Sequence, residues 1–283
     1  MLTLREVLKR SEDYLGQRGA DSPRLSAQLM AAHGLGLSRL DLFLQLDRIL
    51  TEDDLAAVRE LVARRATGEP AAYILGEREF FGLPFQVNPA VLIPRPETEH
   101  LVEAVLERAD PSAPLRFADL GTGSGALAVT LASRLPRSLG LAVDVSLPAL
   151  DVARTNASAH DVDERLALVR ADMAALPAAD GSLDLAVSNP PYVREQDWES
   201  LDREVREFEP RRALVSGPTG LEALEAAAGS MARALKPGGL AVLEIGFDQG
   251  GEVLGLLEDA GFAEPVVLQD LSGYDRIGLG VCR

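Results

Sequence analysis

The sequence predicts an α/β protein: a doubly wound, mostly parallel sheet of seven strands that ends in an antiparallel hairpin, with a small all-α domain in front. Three observations carry this. From Leu115 onward, apolar runs of strand length alternate with helical stripes, the pattern of βαβ units. The run Gly121-Thr122-Gly123-Ser124-Gly125 joins the first of those strands to the first helix, and glycines there allow positive φ and close approach of a ligand. Residues 1–72 show helical spacing throughout.

In chain order, Leu4, Val7, Leu8 and Leu15 form a first helical stripe. Ser22-Pro23 starts a second helix, with Ser22 as N-cap and Pro23 at the first position, and Leu25, Leu29 and Met30 follow at helical spacing up to Gly34. A short helical turn is expected from Ser38 or Leu40 towards Phe43. Thr51, followed by Glu52, Asp53 and Asp54, caps a helix with acids in its first turn, and Gly68-Glu69-Pro70 ends it. Residues 1–72 thus read as a helical bundle suited to recognising a substrate partner. Residues 73–95 change character. Tyr73–Gly76, Glu79–Gly82 and Pro84–Val87 read as short strands broken by glycine and proline, a β-hairpin linker. Residues 96–283 form the α/β domain: a helix with the stripe Leu101, Val102, Val105 and Leu106, then strands at 115–120, 139–143, 166–169, 183–187 and 240–245. Helices are expected at 126–135, 148–157, 221–235 and 251–260, with Lys236-Pro237-Gly238-Gly239 closing the third of these. Val266–Leu268 and Ile277–Cys282 pair as the terminal hairpin.

Composition narrows the function. The 283 residues are 47% hydrophobic, ample for one large or two moderate domains. A single cysteine excludes an intrachain disulfide framework and a Cys-rich zinc site. With three scattered histidines no metal is expected. No long apolar run and no signal-peptide pattern at Met1–Arg5 is found, so a cytoplasmic protein without a membrane role is expected. The net charge of −16 speaks against a large nucleic-acid footprint.

The chemistry centres on Asn189-Pro190-Pro191-Tyr192, which follows the apolar run Leu183–Val187. Proline lacks a backbone donor and has a fixed φ, so the strand must stop there, at the sheet edge where ligands of open α/β sheets bind. The Asn189 side-chain oxygen and the Pro190 carbonyl suit an NH2 acceptor, and Tyr192 suits the flat group carrying it. A strand-ending turn is the bland reading. Gly121–Gly125 has GxGxG spacing rather than the dinucleotide GxGxxG, which favours a methionine-derived cofactor over one whose pyrophosphate sits on a helix N-terminus. Asp119 would meet its amino group, or serve as a turn residue. Asp144, ending the second strand, suits two ribose hydroxyls, and Asp172 the adenine edge. Thr98 either faces the ligand or caps its helix.

Together with Ile93-Pro94-Arg95-Pro96-Glu97-Thr98-Glu99, Phe208-Glu209-Pro210, Glu244-Ile245-Gly246 and Asp270-Leu271, these motifs resemble the peptide chain release factor N5-glutamine methyltransferases, the HemK/PrmC type. The resemblance spans nearly the whole chain. It implies an S-adenosyl-L-methionine-dependent methyltransferase with a Rossmann-like fold. It also implies methylation of the glutamine in the GGQ motif of class 1 release factors, modulating translation termination. The implied cofactor set is Asp119, Gly121, Thr122, Gly123, Ser124, Gly125, Asp144, Asp172, Met173, Asn189 and Thr98. The implied substrate set is Asn189, Pro190, Pro191 and Tyr192, with Asn189, Pro190 and Tyr192 catalytic. The chain departs from the family at Asp172-Met173, where Asp-Trp is usual, and a polarisable thioether replaces the stacking ring. Three other readings are weighed: a nucleic-acid amino methyltransferase, which should carry a basic cleft; a noncatalytic cofactor-binding adaptor of translation factors, which has no need of an intact Asn189–Tyr192 motif; and a NAD(P) oxidoreductase, which the glycine spacing and the lack of a hydride-transfer acid/base partner disfavour.

Overall fold

The computed structural model describes residues 2–283. The chain forms two compact units, Met1–Glu77 with Asp202–Phe208, and Arg78–Leu201 with Glu209–Arg283.

The first unit is helical: α1 (Leu4–Gln17), α2 (Pro23–Gly34), α3 (Arg39–Leu44), α4 (Glu52–Ala66), α5 (Ala71–Leu75) and α9 (Arg203–Phe208). Thr3, Ser38 and Thr51 start α1, α3 and α4 as capping boxes with Glu6, Asp41 and Asp54, each box satisfying two otherwise orphaned amides. Ser22 stands at the N-cap of α2, but its backbone is left-handed and its side chain makes no cap bond. The second stripe is also displaced from the expected one: Leu25 is exposed, while Ser26, Ala27, Met30 and Ala31 are buried, small side chains letting α2 lie close to α1 and α4. Arg65 is buried, pairing with Glu204 at 2.7 Å and donating to the Glu69 carbonyl. Tyr73, Ile74 and Leu75, expected as a strand, are helical in α5, with Gly76 as a left-handed C-cap. Ile74 joins the core of the bundle, and that tertiary burial overrides the β propensity of Tyr and Ile.

In the second unit, β1 (Glu77–Phe80, its first residue belonging to the first unit) and β2 (Leu83–Gln86) form a hairpin. Its turn residues Phe81 and Gly82 both have positive φ, the geometry that matches strand twist in two-residue hairpins. Phe80 and Phe85 are buried in the core. Then follow α6 (Glu99–Leu106), β3 (Leu115–Leu120), α7 (Ala126–Arg134), β4 (Ser138–Asp144), α8 (Leu147–Ala159), β5 (Leu166–Arg170), β6 (Leu183–Ser188), α10 (Glu222–Ala234), β7 (Leu235–Glu244), α11 (Gly250–Asp259), β8 (Phe262–Gln269) and β9 (Asp275–Cys282). The main sheet has the order β5-β4-β3-β6-β7-β9-β8, parallel up to β7 and antiparallel on both sides of β9. This is a mixed seven-stranded sheet. Alternation sends Phe117, Leu185 and Val187 to one apolar layer and Ala118, Leu120 and Ala186 to the other. Lys236–Gly239 was expected to close α10 ahead of the strand. Pairing in fact begins at Leu235 opposite Leu183 and resumes with Leu240 opposite Leu185, so these residues bulge out of β7. Among the described residues no helix is long and apolar enough to cross a membrane.

Candidate active site

The strand order reverses between β3 and β6, and their carboxyl ends lie side by side, Leu120 opposite Ser188. The Ser188 hydroxyl donates to the Leu120 carbonyl at 2.5 Å, tying the two ends together. Such a switch point leaves a crevice for ligands. Here it holds a cavity of about 440 Å³, a size common for small-molecule sites. Thr98, Gly121, Thr122, Gly123, Ser124, Asp144, Asp172, Met173, Asn189 and Pro191 line it. Asp119, Gly125, Pro190 and Tyr192 do not.

The turn after β3 has spent most of its amides on the protein. Gly121 and Thr122 donate to the Val143 carbonyl, Gly125 to that of Thr122, and Gly123 to Asp144 Oδ2 at 3.0 Å. Little is left to cradle a pyrophosphate, as the spacing suggested. Gly123, at φ +55°, has no atom nearer than 3.9 Å to the place of a Cβ, so a side chain there would enter the cavity. Gly125 faces the other way: a Cβ would meet Ala153 at 3.2 Å, so this glycine serves packing against α8 rather than a ligand. Asp119 stands behind the turn. Its Oδ2 accepts from the Thr122 hydroxyl at 2.6 Å and from the Ala128 amide in the first turn of α7 at 3.1 Å. It braces the loop without lining the cavity. Its Oδ1 is buried without a partner. Burial, reinforced by the nearby Asp144 charge, pushes its pKa up to about 7, against the pull of Thr122 and Ala128.

Asp144 is fixed at both oxygens, Oδ1 by the Ser146 amide at 2.8 Å and Oδ2 by the Gly123 amide. Each oxygen keeps acceptor capacity, so a vicinal diol fits it. Asp172 caps the short 3₁₀ turn Met173–Ala175 through the Ala174 amide, and the Met173 methyl comes within 3.3 Å of the Cβ position at Gly121. That closes a polarisable wall beside the turn.

Asn189 follows β6 into the cavity, and its Nδ2 donates to Thr98 Oγ1 at 3.0 Å. The carbonyl end, Oδ1, is therefore the end available to a ligand. Thr98 is buried at the start of α6, makes no side-chain cap there and lines the cavity. Pro191 lines the cavity, whereas Pro190 is buried below it. Its ring, with no backbone donor, ends the strand there. Tyr192 does not offer its ring to the cavity. It packs against the apolar layer under β7 and its hydroxyl donates to Glu244 Oε1 at 3.2 Å, because a buried phenol needs an acceptor. Burial, with Glu244 beside it, drives the Tyr192 pKa well above the usual phenol range.

Of the further lining residues, Phe80 and Arg212 had no signal in the sequence, whereas Pro210 belongs to the Phe208-Glu209-Pro210 motif of the resemblance. Phe80 reaches the cavity from the hairpin, and Pro210 and Arg212 from the segment before α10. Glu209 braces that segment: its side chain, 1% exposed, accepts from Arg95 at 2.5 Å and from the Ile93 amide at 3.1 Å. Glu244 belongs to the Glu244-Ile245-Gly246 motif of the resemblance, which gave it no role.

Residues 6–76 match the family described as PrmC N-terminal domain, and residues 117–208 that described as Methyltransferase domain. A release factor glutamine methyltransferase of Nitratidesulfovibrio vulgaris is 49% identical over 97% of this chain and 93% of its own. One of Chlorobaculum tepidum is 45% identical over 96% and 94%. Among solved structures, the hMettl16 catalytic domain in complex with the MAT2A 3′UTR hairpin 6 is 16% identical with a TM-score of 0.59, covering 75% of this chain and 81% of that one. That likeness is one of fold.

Proposed function

The chain belongs to the release factor glutamine methyltransferases, and from that premise we propose how its cavity works and on what. It is an S-adenosylmethionine-dependent methyltransferase, and the cofactor, when bound, supplies an electrophilic sulfonium methyl group. Asp144 holds the ribose hydroxyls, Asp172 and Met173 meet the adenine, and Gly121–Ser124 shape the floor. The acceptor is the side-chain amide nitrogen of the glutamine in the Gly-Gly-Gln loop of class 1 release factors, proteins of the cytoplasm. The helical first unit, residues 1–72 in the sequence reading, holds the body of that partner.

An amide nitrogen is a poor nucleophile, because its lone pair is delocalised into the carbonyl. Asn189 Oδ1 accepts one of its N–H groups, which fixes the nitrogen's direction and stabilises the positive charge that builds on it. The proton leaves after transfer, so no strong base is needed beforehand. The observation that supports this reading most is the Asn189–Thr98 hydrogen bond, in which Nδ2 is the donor and Oδ1 is left for another partner. The test is to incubate the protein with labelled S-adenosylmethionine and, separately, a release factor, the same factor with its loop glutamine replaced, and DNA. Label on the unaltered factor alone is expected. Label on DNA, or undiminished label on the altered factor, would overturn the proposal.

A further inference from the structure

Gln249 stands at the N-cap of α11 yet makes no side-chain cap there. It is 2% exposed and does not line the cavity. Its amide is spent on three loops instead. Oε1 accepts the Gly246 N–H at 2.9 Å. Nε2 donates to the Tyr192 carbonyl and to the Gly220 carbonyl, each at 3.3 Å. A primary amide has two N–H groups, and both are used. The surroundings also fix which way it faces. Turned over, it would set its oxygen against two carbonyls and its N–H groups against that of Gly246. Gly220 and Gly246 leave the room for it. A Cβ at Gly220 would stand 2.5 Å from the Tyr192 carbonyl oxygen and 3.0 Å from Nε2, and one at Gly246 would stand 2.7 Å from Oε1.

Three segments thus meet on one amide: the Asn189–Tyr192 turn after β6, the loop before α10 and the turn after β7. Tyr192 is held a second time by its hydroxyl on Glu244 Oε1 at 3.2 Å. Arg194, two residues on, pairs with Asp248 beside Gln249 at 2.9 Å. The exit of the turn is therefore anchored at carbonyl, phenol and following side chain. Between that anchor and Asn189 stand Pro190 and Pro191, whose rings fix φ, so few free torsions separate the two. We infer that Gln249 is a positioning residue for methyl transfer: by holding the Tyr192 carbonyl it sets where Asn189 Oδ1 stands against the acceptor amide. This rests on the reading of Asn189 as the group that orients that nitrogen. A misplacement of about 1 Å at a reacting centre costs up to about 10² in rate, so a loosened turn shows in the chemistry before it shows in binding.

The test is single-turnover methyl transfer to a release factor, at saturating cofactor and well below the thermal midpoint, for Gln249→Met, Gln249→Glu and Asn189→Ala. The factor is varied to separate maximal rate from half-saturation, and cofactor affinity and thermal midpoint are measured alongside. Gln249→Met keeps the length without polar groups. Gln249→Glu keeps the acceptor for Gly246 and at most one of the two donors. Each is expected to lower the maximal rate about ten- to hundredfold while half-saturation and cofactor affinity stay within about twofold. A residue that only stabilises the fold would lower the midpoint and leave the rate of the folded enzyme as it was. Because Gln249 acts through Asn189, adding Gln249→Met to Asn189→Ala should slow transfer no further. Where one Gln249 variant fails to fold, the other decides. A normal rate for either folded Gln249 variant beside a slow Asn189→Ala overturns the positioning role alone. So does a full further loss in the double variant, or failure of both Gln249 variants to fold. A normal rate for Asn189→Ala overturns the reading of Asn189 itself.

Discussion

Asn189, Asp144 and Asp119 sit within one short span of sheet edge, yet each should fail differently when changed. Asn189→Ala removes a preorganised contact made most strongly as charge develops on nitrogen. The expected loss is about 10²–10³ in kcat, with cofactor affinity nearly intact, read by single-turnover transfer. Asp144→Ala removes charge-assisted acceptors for two hydroxyls and should weaken cofactor binding by roughly 1–3 kcal/mol, read by calorimetry on the folded variant. Asp119 is a stability matter. Its folded pKa of about 7 lies above the ordinary carboxylate value, so the folded state holds a proton that the unfolded state has released. Stability is therefore greatest at low pH on this group's account. It falls as pH rises from about 4 to 7 and levels off above. Asp119→Asn should flatten that slope, gaining roughly 2 kcal/mol relative to the parent between pH 5 and pH 8. Urea unfolding of the cofactor-free protein at the two pH values checks it, and parallel slopes would show that Asp119 is ionised throughout.

At the scale of elements, the turn from β3 to α7 separates packing from binding within a few residues. Gly125 has φ +82° and a Cβ there would press on α8. Gly125→Ala should cost about 1–3 kcal/mol of stability, seen as a lowered thermal midpoint. Gly123→Val should fold with a smaller loss and bind the cofactor poorly, because its side chain enters the cavity. Equal midpoints for the two variants would contradict this division. Nothing in the alternation of glycines distinguishes the two positions, since the spacing says only that the turn is tight. The same limit explains α5. Tyr73-Ile74-Leu75 has strand-like propensity, but a run this short takes its conformation from what buries it.

For the whole molecule, the proposal that the helical unit holds the partner separates from the chemistry. A chain beginning at Arg78 should keep cofactor affinity. It should methylate a short Gly-Gly-Gln peptide about as the full protein does and lose most of its kcat/KM on the intact release factor. Specific partners bury an extended surface, about 800 Å² per side, which a loop alone does not offer. Equal kcat/KM on the intact factor for both chains would leave the first unit a stabilising role only. Asp202–Phe208, which packs with the first unit, is retained in the shortened chain. Its thermal midpoint should therefore be compared with that of the full protein before the rates are read.

The linear order of residues determined the strand and helix alternation, the capped start of α4, the glycine turn, and the stop of β6 at Asn189. Each is set by local rules: hydrophobic period, a side chain reaching its own helix's first turn, or a proline that cannot donate. Local rules also placed an acid at the end of β4, where a diol can reach it. Only the tertiary structure decided which way these groups face. It turned Tyr192 from the cavity to Glu244, put Asp119 behind the turn, brought Thr98 to Asn189 from 91 residues away, and buried α2 on its small residues. Those outcomes depend on hydrogen-bond partners and apolar neighbours distant in the chain. A buried polar group must find whichever partner the packing leaves within reach, and spacing along the chain carries no record of which one that is.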